Sequence, residues 1–331
     1  MPNIITHTLF SHDLLEEMNG SQKELFEKRI QLFEIGSNGP DFLFFHGVSP
    51  KHVLKDTPLR GLGGQVHSRG INAFYQKAIE CILNEKDEEI AKDMTVYVCG
   101  HLCHWALDSV SHPYVYYRTG NCHGESAWWH HRFESLIDAI MLKVKRECTI
   151  EDYKAYEICD VSLEIARAIA RVYVPILRDI YGSQIKPHQI LESLNDWCDV
   201  QKVLYDPTGK KYEFADRIEQ MFDKENLISG FFVPNSPEDP FDTMNLLHNK
   251  WMHPCDETKV STDSFFDLYD KAIMRARTAI TLFLNALANK GTMIEFLSFI
   301  NDRNYNTGLR ENIPMIHFDL VYKYLEDNQD V

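Results

Sequence analysis

Residues 104–112 read HWALDSVSH, which places His104, Asp108 and His112 at positions i, i+4 and i+8 of an otherwise apolar run. On an α-helix, residues four apart lie one turn apart on the same face, so His104 and Asp108 can reach a common point. A lone histidine on a helix is more often a hydrogen-bonded core or surface residue than a ligand. A histidine paired with a carboxylate one turn away instead points to a metal site.

The coarse pattern of the chain is almost entirely helical. The long helix that carries this stretch is predicted over about 88 to 111 and is expected to end at Pro113, because proline lacks the amide that continues the ladder. His112 would then lie at the helix end and need not point the same way as His104. Further helices are predicted at 22–35, 71–84, 127–145, over much of 150–182, at 187–203 and from about 264 to Gly291. Four prolines mark 229–262 as a long ordered excursion.

A second stretch repeats the design. His130 and Glu134 again stand at i and i+4 in HHRFE, with Asp138 one turn further. Two helices that each carry a histidine and an acid one turn apart can build a metal site from facing side chains in a bundle core. The alternative is a pair of buried histidine–carboxylate hydrogen bonds. Nitrogen and oxygen ligands without thiolate are compatible with zinc, manganese or iron.

Composition limits the possible partners. The 331 residues are 44% hydrophobic and 25% charged, as in an ordinary globular protein, and the formal net charge is −15. This charge repels polyanions and anionic membrane surfaces, so no stable nucleic-acid partner is expected. No apolar stretch is long enough to span a bilayer, and no signal peptide is evident. The eight cysteines show no tight pairing motif, which favours reduced thiols and a cytoplasmic location.

Three further polar residues become candidates once a metal site is suspected. His7 lies near the start in THTLF, Asp41 follows the turn SNGPD, and His67 follows the glycine-rich RGLGGQVH. Small residues let backbone crowd a site, so the last of these stretches can bring its histidine close to other ligands. Each residue alone carries little weight.

Taken in chain order, these residues resemble the ligand series of the zinc-dependent phospholipase C family, which shares its helical fold and trinuclear zinc site with fungal single-strand nucleases. The strings ITHTLF, GPDFLFF, GHLCHWALDSVSHPY and HHRFESLID carry the resemblance, which spans about residues 3–140. It implies eight metal ligands: His7, Asp41, His67, His104, Asp108, His112, His130 and Glu134. It also implies an all-α bundle with a helical C-terminal extension.

The resemblance assigns the ligands to three zinc ions. His67, His104 and Asp108 would hold the first ion, and Asp108 would bridge to the second, which His7 also binds. The third would be held by His112, His130 and Glu134. Asp41 would contact the metal-bound water, either as a ligand or as the general base. His101 and Asp138 would orient the ligands by hydrogen bonds. His101 could also replace His104 as ligand, because it lies one helical turn away.

One departure affects the second ion. In secreted members of the family a mature N-terminal tryptophan ligates zinc, whereas this chain begins Met-Pro-Asn. The second zinc site then lacks this ligand and is either completed by another backbone group or water, or weak or absent. Two to three zinc ions are therefore expected.

The implied activity is hydrolysis of a phospholipid-type or small phosphodiester by metal-activated water. The alternatives are a non-catalytic helical binding module stapled by zinc and a single-strand nuclease. One helical domain over 1–331 is expected, with a metal-site core at about 1–200 and the extension at about 201–331.

Overall fold

A 32-residue helix, α6 (Glu88–Thr119), forms the centre of the computed structural model. The structure describes residues 4–49, 57–221, 228–236 and 238–323. The side chain of Asp87 begins α6 by accepting hydrogen bonds from the amides of Glu89 and Ile90, and Gly120 ends it with a φ of 92°. Twenty-two of its residues are buried, because α3, α7, α9 and α12 pack around it.

The described residues are mainly helical, with one small sheet. The helices are α1 (Ile4–Glu16), α2 (Gly20–Glu27), α3 (Ile30–Ser37), α4 (Pro58–Ser68), α5 (Ile71–Asn84), α6, α7 (Glu125–Arg146), α8 (Tyr156–Cys159), α9 (Leu163–Asp179), α10 (Pro187–Leu204), α11 (Lys210–Glu219), α12 (Phe265–Ala288) and α13 (Met293–Ile300), with 3-10 turns at Asp41–Phe45, Ser229–Phe231 and Lys290–Thr292. Strands β1 (Trp251–His253) and β2 (Asp256–Ser261) pair antiparallel. The predicted all-α class is confirmed. No helix in the described ranges combines the length and apolar character needed to cross a bilayer.

Helices α3 and α6 cross at a pair of glycines. A Cβ atom on Gly36 would lie 2.2 Å from the carbonyl oxygen of Tyr97, and one on Gly100 would lie 2.3 Å from that of Phe33. Larger residues at either position would force the two backbones apart. The close approach brings the C-terminal end of α3 against the middle of α6, where the HWALDSVSH stretch lies.

The predicted end of α6 at Pro113 is wrong, since the helix continues to Thr119. Proline removes one helical hydrogen bond, to the carbonyl of Ser109, and typically costs about 3 kcal/mol in a helix interior. Tyr114 and Val115 directly after it are fully buried. Burial of such side chains contributes about 1.5–3 kcal/mol each, which offsets the lost bond. His112 therefore lies inside the helix rather than at its end.

Two other predicted helices are broken in the structure. The helix predicted at 22–35 is split into α2 and α3 at Lys28 and Arg29, where the Arg29 side chain turns to Asp93 of α6 with Nε and Oδ1 2.7 Å apart. The helix predicted over much of 150–182 becomes the short α8 and the longer α9. The hairpin of β1 and β2, within the excursion at 229–262, was not predicted.

Candidate metal centre

Five elements around the middle of the bundle bring the eight candidate residues together. They come from α1 (His7), the 3-10 turn Asp41–Phe45 (Asp41), α4 (His67), α6 (His104, Asp108, His112) and α7 (His130, Glu134). Asp41 is 8% exposed, and the other seven side chains are at most 2% exposed. The structure arranges these residues as three groups, each with three ligand atoms close enough to hold one metal ion.

The first group consists of His7, His104 and Asp108. His7 Nε2 lies 3.2 Å from Asp108 Oδ1, and His104 Nε2 lies 3.1 Å from Asp108 Oδ2. The two imidazole rings are 4.2 Å apart between centroids. The two oxygens of Asp108 thus face two different histidines.

The second group consists of Asp41, His67 and His104. His67 Nε2 lies 3.1 Å from Asp41 Oδ1, and His104 Nε2 lies 3.4 Å from His67 Nε2. His104 belongs to both the first and the second group, so these groups form a close pair. The assignment implied by the resemblance placed Asp108 with His67 and left Asp41 open, whereas the structure puts Asp41 Oδ1 beside His67.

The third group consists of His112, His130 and Glu134. His130 Nε2 lies 3.0 Å and His112 Nε2 lies 3.7 Å from Glu134 Oε1. On its other side, His112 Nδ1 is 3.7 Å from Asp108 Oδ2. Asp108 therefore stands between this group and the close pair.

Four of the histidines have their Nδ1 atoms fixed by acceptors outside the groups. His67 Nδ1 lies 2.8 Å from Gly63 O, and His104 Nδ1 lies 3.2 Å from Ser37 O. His112 Nδ1 lies 3.0 Å from Tyr305 O, and His130 Nδ1 lies 3.1 Å from Thr119 Oγ1. A carbonyl oxygen only accepts, and the Thr119 hydroxyl donates its proton to Val115 O. Each Nδ1 therefore carries a proton, and each Nε2 is the nitrogen that faces its group and can bind a metal ion once it is unprotonated, as in metal-binding histidines.

Several buried polar atoms of the centre lie close to one another but make no hydrogen bond of good geometry with any described residue. They include both ring nitrogens of His7, both carboxylate oxygens of Asp108, Asp41 Oδ1 and His112 Nε2. Buried polar atoms normally find partners, and leaving one unsatisfied costs about 1–3 kcal/mol. Nitrogen and carboxylate oxygen atoms that converge in this way fit divalent cations such as zinc.

The protonation states also favour metal binding. Burial lowers the pKa of His112 and of His130 well below its usual value, so both rings are neutral at neutral pH. Burial raises the pKa of the Asp108 carboxyl, but the neighbouring His104, His112 and His7 outweigh this and hold its pKa well below the usual range. Neutral imidazoles and an ionised carboxylate are the forms that bind metal.

His101 does not join any of the groups. Its Nδ1 lies 3.0 Å from the Tyr75 hydroxyl and its Nε2 lies 3.0 Å from the Tyr173 hydroxyl, so both nitrogens are engaged away from the centre. The ring also stacks on Phe74 at 4.6 Å between centroids. The structure thus brings His104, and not His101, to the candidate ligands.

Asp138 acts on the centre through α1. Its carboxylate accepts hydrogen bonds from the amides of Ile5 and Thr6 and from the Thr6 hydroxyl, at 3.2, 2.9 and 2.6 Å. Burial raises the pKa of Asp138 to about 7 despite these bonds. The contacts tie the first turn of α1 to α7 next to His7, so Asp138 positions the helix that carries His7 rather than the imidazole itself.

Sequence reasoning missed the acceptors that orient the histidines. Three of them are backbone carbonyls, of Ser37, Gly63 and Tyr305, and a carbonyl leaves no signal in residue type. Thr119 gave a weak signal, because its hydroxyl stands one residue before the glycine that ends α6.

The profile of the family described as zinc dependent phospholipase C matches residues 6–202 of this chain. The match covers more than half of the 331 residues. The chain belongs to the zinc-dependent phospholipase C family. The resemblance found over about residues 3–140 is thereby confirmed, and all eight candidate residues lie within the matched range. No curated protein and no solved structure matches the chain.

Membership of this zinc-dependent family agrees with the chemistry of the donor set. The three groups offer only imidazole nitrogen and carboxylate oxygen, which zinc accepts. The family is one of phosphodiester hydrolases, and the helical fold agrees with it. Residues 203–323 of the described chain lie beyond the match, and one of them, Tyr305, contacts the centre directly.

Proposed function

We propose that this protein hydrolyses phosphodiester bonds with two to three zinc ions held by the eight residues of the metal centre. The main support is the arrangement of the three buried ligand groups. The two groups of the close pair share His104, and Asp108 lies between this pair and the third group. Family membership supports the same reaction class. The substrate is a phospholipid headgroup ester or another small phosphodiester.

Bound zinc supplies Lewis acidity for a phosphoryl oxygen and lowers the pKa of water towards neutrality. We assign the proton transfer to Asp41, since it is the carboxylate of the centre with the largest exposure, at 8%. The attacking water gives one proton to Asp41 and forms a bond to phosphorus. The P–O ester bond breaks, and the ester oxygen leaves with its electron pair and takes the proton from Asp41, which restores the carboxylate, so one water is consumed for each bond cleaved.

Charge favours a small substrate. Asp41, Asp108 and Glu134 give the ligand set three carboxylates, which two to three divalent cations reverse in sign. A single anionic phosphate is then attracted at this point, although the whole chain carries −15. A long polyanion would meet the surrounding negative charge as well. This contrast supports a phospholipid-type headgroup over nucleic acid.

Metal analysis and turnover test the proposal together. Protein purified without added zinc should contain two to three ions per chain and should hydrolyse bis-p-nitrophenyl phosphate and a short-chain phosphatidylcholine. The variant Asp41→Asn should lower the rate at least about 100-fold, the usual effect of losing a general base. Asp160→Asn serves as control, because the side chain of Asp160 is 72% exposed and belongs to none of the ligand groups. A folded protein that contains no metal would overturn the proposal.

The depth of the centre favours a second candidate, a helical binding module stapled by zinc. Seven of the eight side chains are at most 2% exposed, and structural zinc sites are closed whereas catalytic ones keep an open position. Under this candidate the protein retains zinc, turns over neither phosphodiester, and loses thermal stability when zinc is chelated. Turnover that disappears in Asp41→Asn would exclude it.

A further inference from the structure

Residues 301–309 follow α13 and form a loop that closes on itself, here called the Tyr305 loop. Asn304 organises it, because its amide and its side-chain nitrogen both donate to Leu309 O at 2.9 and 2.8 Å. Its side-chain oxygen accepts from the Thr307 amide and hydroxyl at 2.7 and 2.9 Å. The loop lies about 100 residues beyond the end of the family match at residue 202.

Tyr305 connects this loop to the metal centre, with main-chain hydrogen bonds to the second and third groups and a ring contact with His104, which the first and second groups share. Its amide donates to His67 O at 2.9 Å, and its carbonyl accepts from His112 Nδ1 at 3.0 Å. Its ring lies 5.0 Å from the His67 ring and 5.6 Å from the His104 ring between centroids. Tyr305 is itself only 1% exposed. One residue of the C-terminal part therefore touches both ends of the centre.

The carbonyl of Tyr305 decides which nitrogen of His112 carries the proton. Asp108 Oδ2 also faces His112 Nδ1, but at the longer distance of 3.7 Å. Donation of Nδ1–H to Tyr305 O leaves His112 Nε2 as the lone-pair atom, and that atom is buried beside Glu134. For the other three oriented histidines, the acceptors Gly63, Ser37 and Thr119 lie within the family match.

The loop contacts α6 at the place where Pro113 removes one hydrogen bond from the helix. Pro113 has no N–H, so the carbonyl of Ser109 lacks its usual donor four residues on. Gly308 packs against that carbonyl with a φ of +63°, and a Cβ there would lie 2.2 Å from Ser109 O. Thr307 O also accepts from His253 Nε2 at 2.9 Å. Gly308 thus allows the close approach that puts Tyr305 O beside His112.

We propose that Tyr305 is a positioning residue of the metal centre, and that the Tyr305 loop sets the zinc affinity of the His112–His130–Glu134 group. The proposal rests on the metal centre of the proposed function, but not on its substrate. It makes the C-terminal part of the chain a component of the centre. Loss of a partner that orients a metal-bound histidine typically lowers metal affinity about 10- to 100-fold.

The variant Gly308→Ala in the full chain tests this without altering a ligand. Its Cβ pushes the loop away from Ser109 and lengthens the contact between Tyr305 O and His112. One zinc ion should then bind about 10- to 100-fold more weakly in competition with a chelator. The ions of the close pair should lose less affinity, because His67 and His104 keep their Nδ1 acceptors Gly63 O and Ser37 O. Gly209→Ala is the matched control, since Gly209 has a similar φ of +73° and nothing within 4 Å of its Cβ position.

Two further measurements separate positioning from a general loss of structure. Nitrogen-15 NMR of the zinc-free wild type should show His112 protonated on Nδ1, and Gly308→Ala should change that signal. Asn304→Ala removes the internal bonds of the loop and should weaken the same ion in the same direction. Tyr305→Phe keeps the carbonyl and should keep the affinity of that ion.

The outcomes distinguish the two proposals. A wild type that binds no zinc overturns the metal centre itself. A wild type that binds zinc, with equal affinities in Gly308→Ala and Asn304→Ala, overturns the role of Tyr305 and leaves the proposed function standing. His112 protonated on Nε2 in the zinc-free wild type overturns the role of Tyr305 as well.

Discussion

Asp108 lies where the three ligand groups meet. Its oxygens are 3.2 Å from His7 Nε2, 3.1 Å from His104 Nε2 and 3.7 Å from His112 Nδ1. The side chain is fully buried, so its charge is poorly screened by solvent. Its three histidine neighbours include members of all three groups. The histidines within 4 Å of Glu134, by contrast, are His112, His130 and His131, and none of them belongs to the close pair.

We expect the variant Asp108→Asn to lose two of the bound zinc ions together. The amide keeps the shape of the side chain but loses the negative charge and one acceptor oxygen, so two ions should be released together. Phosphodiester hydrolysis should fall more than about 100-fold. Zinc counting by mass spectrometry of the folded variant checks this, with Asp160→Asn as control. Loss of one ion alone would contradict a shared role for Asp108.

The pH dependence of zinc binding should differ between the groups. Burial lowers the pKa of His104, but the charges of Asp108 and Asp41 outweigh this and raise its pKa above the usual value in the metal-free protein. Zinc must then displace a proton from His104, so affinity at the close pair should rise with pH through that raised pKa. The pKa values of His112 and His130 are lowered, so affinity at their group should change little above pH 6.5.

Chelator competition at pH 6, 7 and 8 measures this difference. Proton release on zinc binding, followed with a weakly buffered indicator, gives the same information independently. If zinc affinity changes with pH by the same amount for all bound ions, His104 carries no extra proton in the metal-free protein.

At the scale of elements, α1 carries one candidate ligand, and Asp138 ties the first turn of this helix to α7. Asp138 of α7 holds the amides of Ile5 and Thr6, and α1 supplies His7. Asp138→Ala should leave two buried amides unsatisfied, at about 1–3 kcal/mol each in the free energy of unfolding. Thr6→Val removes only the hydroxyl arm and should cost less. Denaturant unfolding of zinc-free protein measures both, and equal costs would show that the amide bonds contribute nothing.

The helices that carry the motifs were predictable, and their interruptions were not. The spacing of His104 with Asp108 and of His130 with Glu134 depends only on helical periodicity, which the apolar pattern shows clearly. The continuation of α6 through Pro113 depends on burial by distant elements, which no local pattern records. The same limit applies to Tyr305, whose contribution to His112 is a backbone carbonyl 193 residues away.

At the scale of the whole molecule, the net charge of −15 opposes the positive charge that the proposed zinc ions would give the centre. A zwitterionic phosphodiester feels mainly the local field, whereas an oligonucleotide extends over the acidic surface. Salt screens charges over about 10 Å at 0.1 M. Raising the ionic strength should therefore strengthen inhibition by a single-stranded oligonucleotide and leave hydrolysis of a zwitterionic headgroup ester nearly unchanged.

Steady-state kinetics at low and high salt, with and without the oligonucleotide, measure this. A short phosphodiester with one negative charge serves as control, because it does not reach beyond the centre. Strong inhibition by the oligonucleotide at low salt, falling as salt rises, would instead show basic groups arranged to bind nucleic acid and would favour a single-strand nuclease. Inhibition by the oligonucleotide that strengthens as salt rises follows only if the acidic surface excludes polyanions. Compact phosphodiesters are then the substrates that can reach the centre.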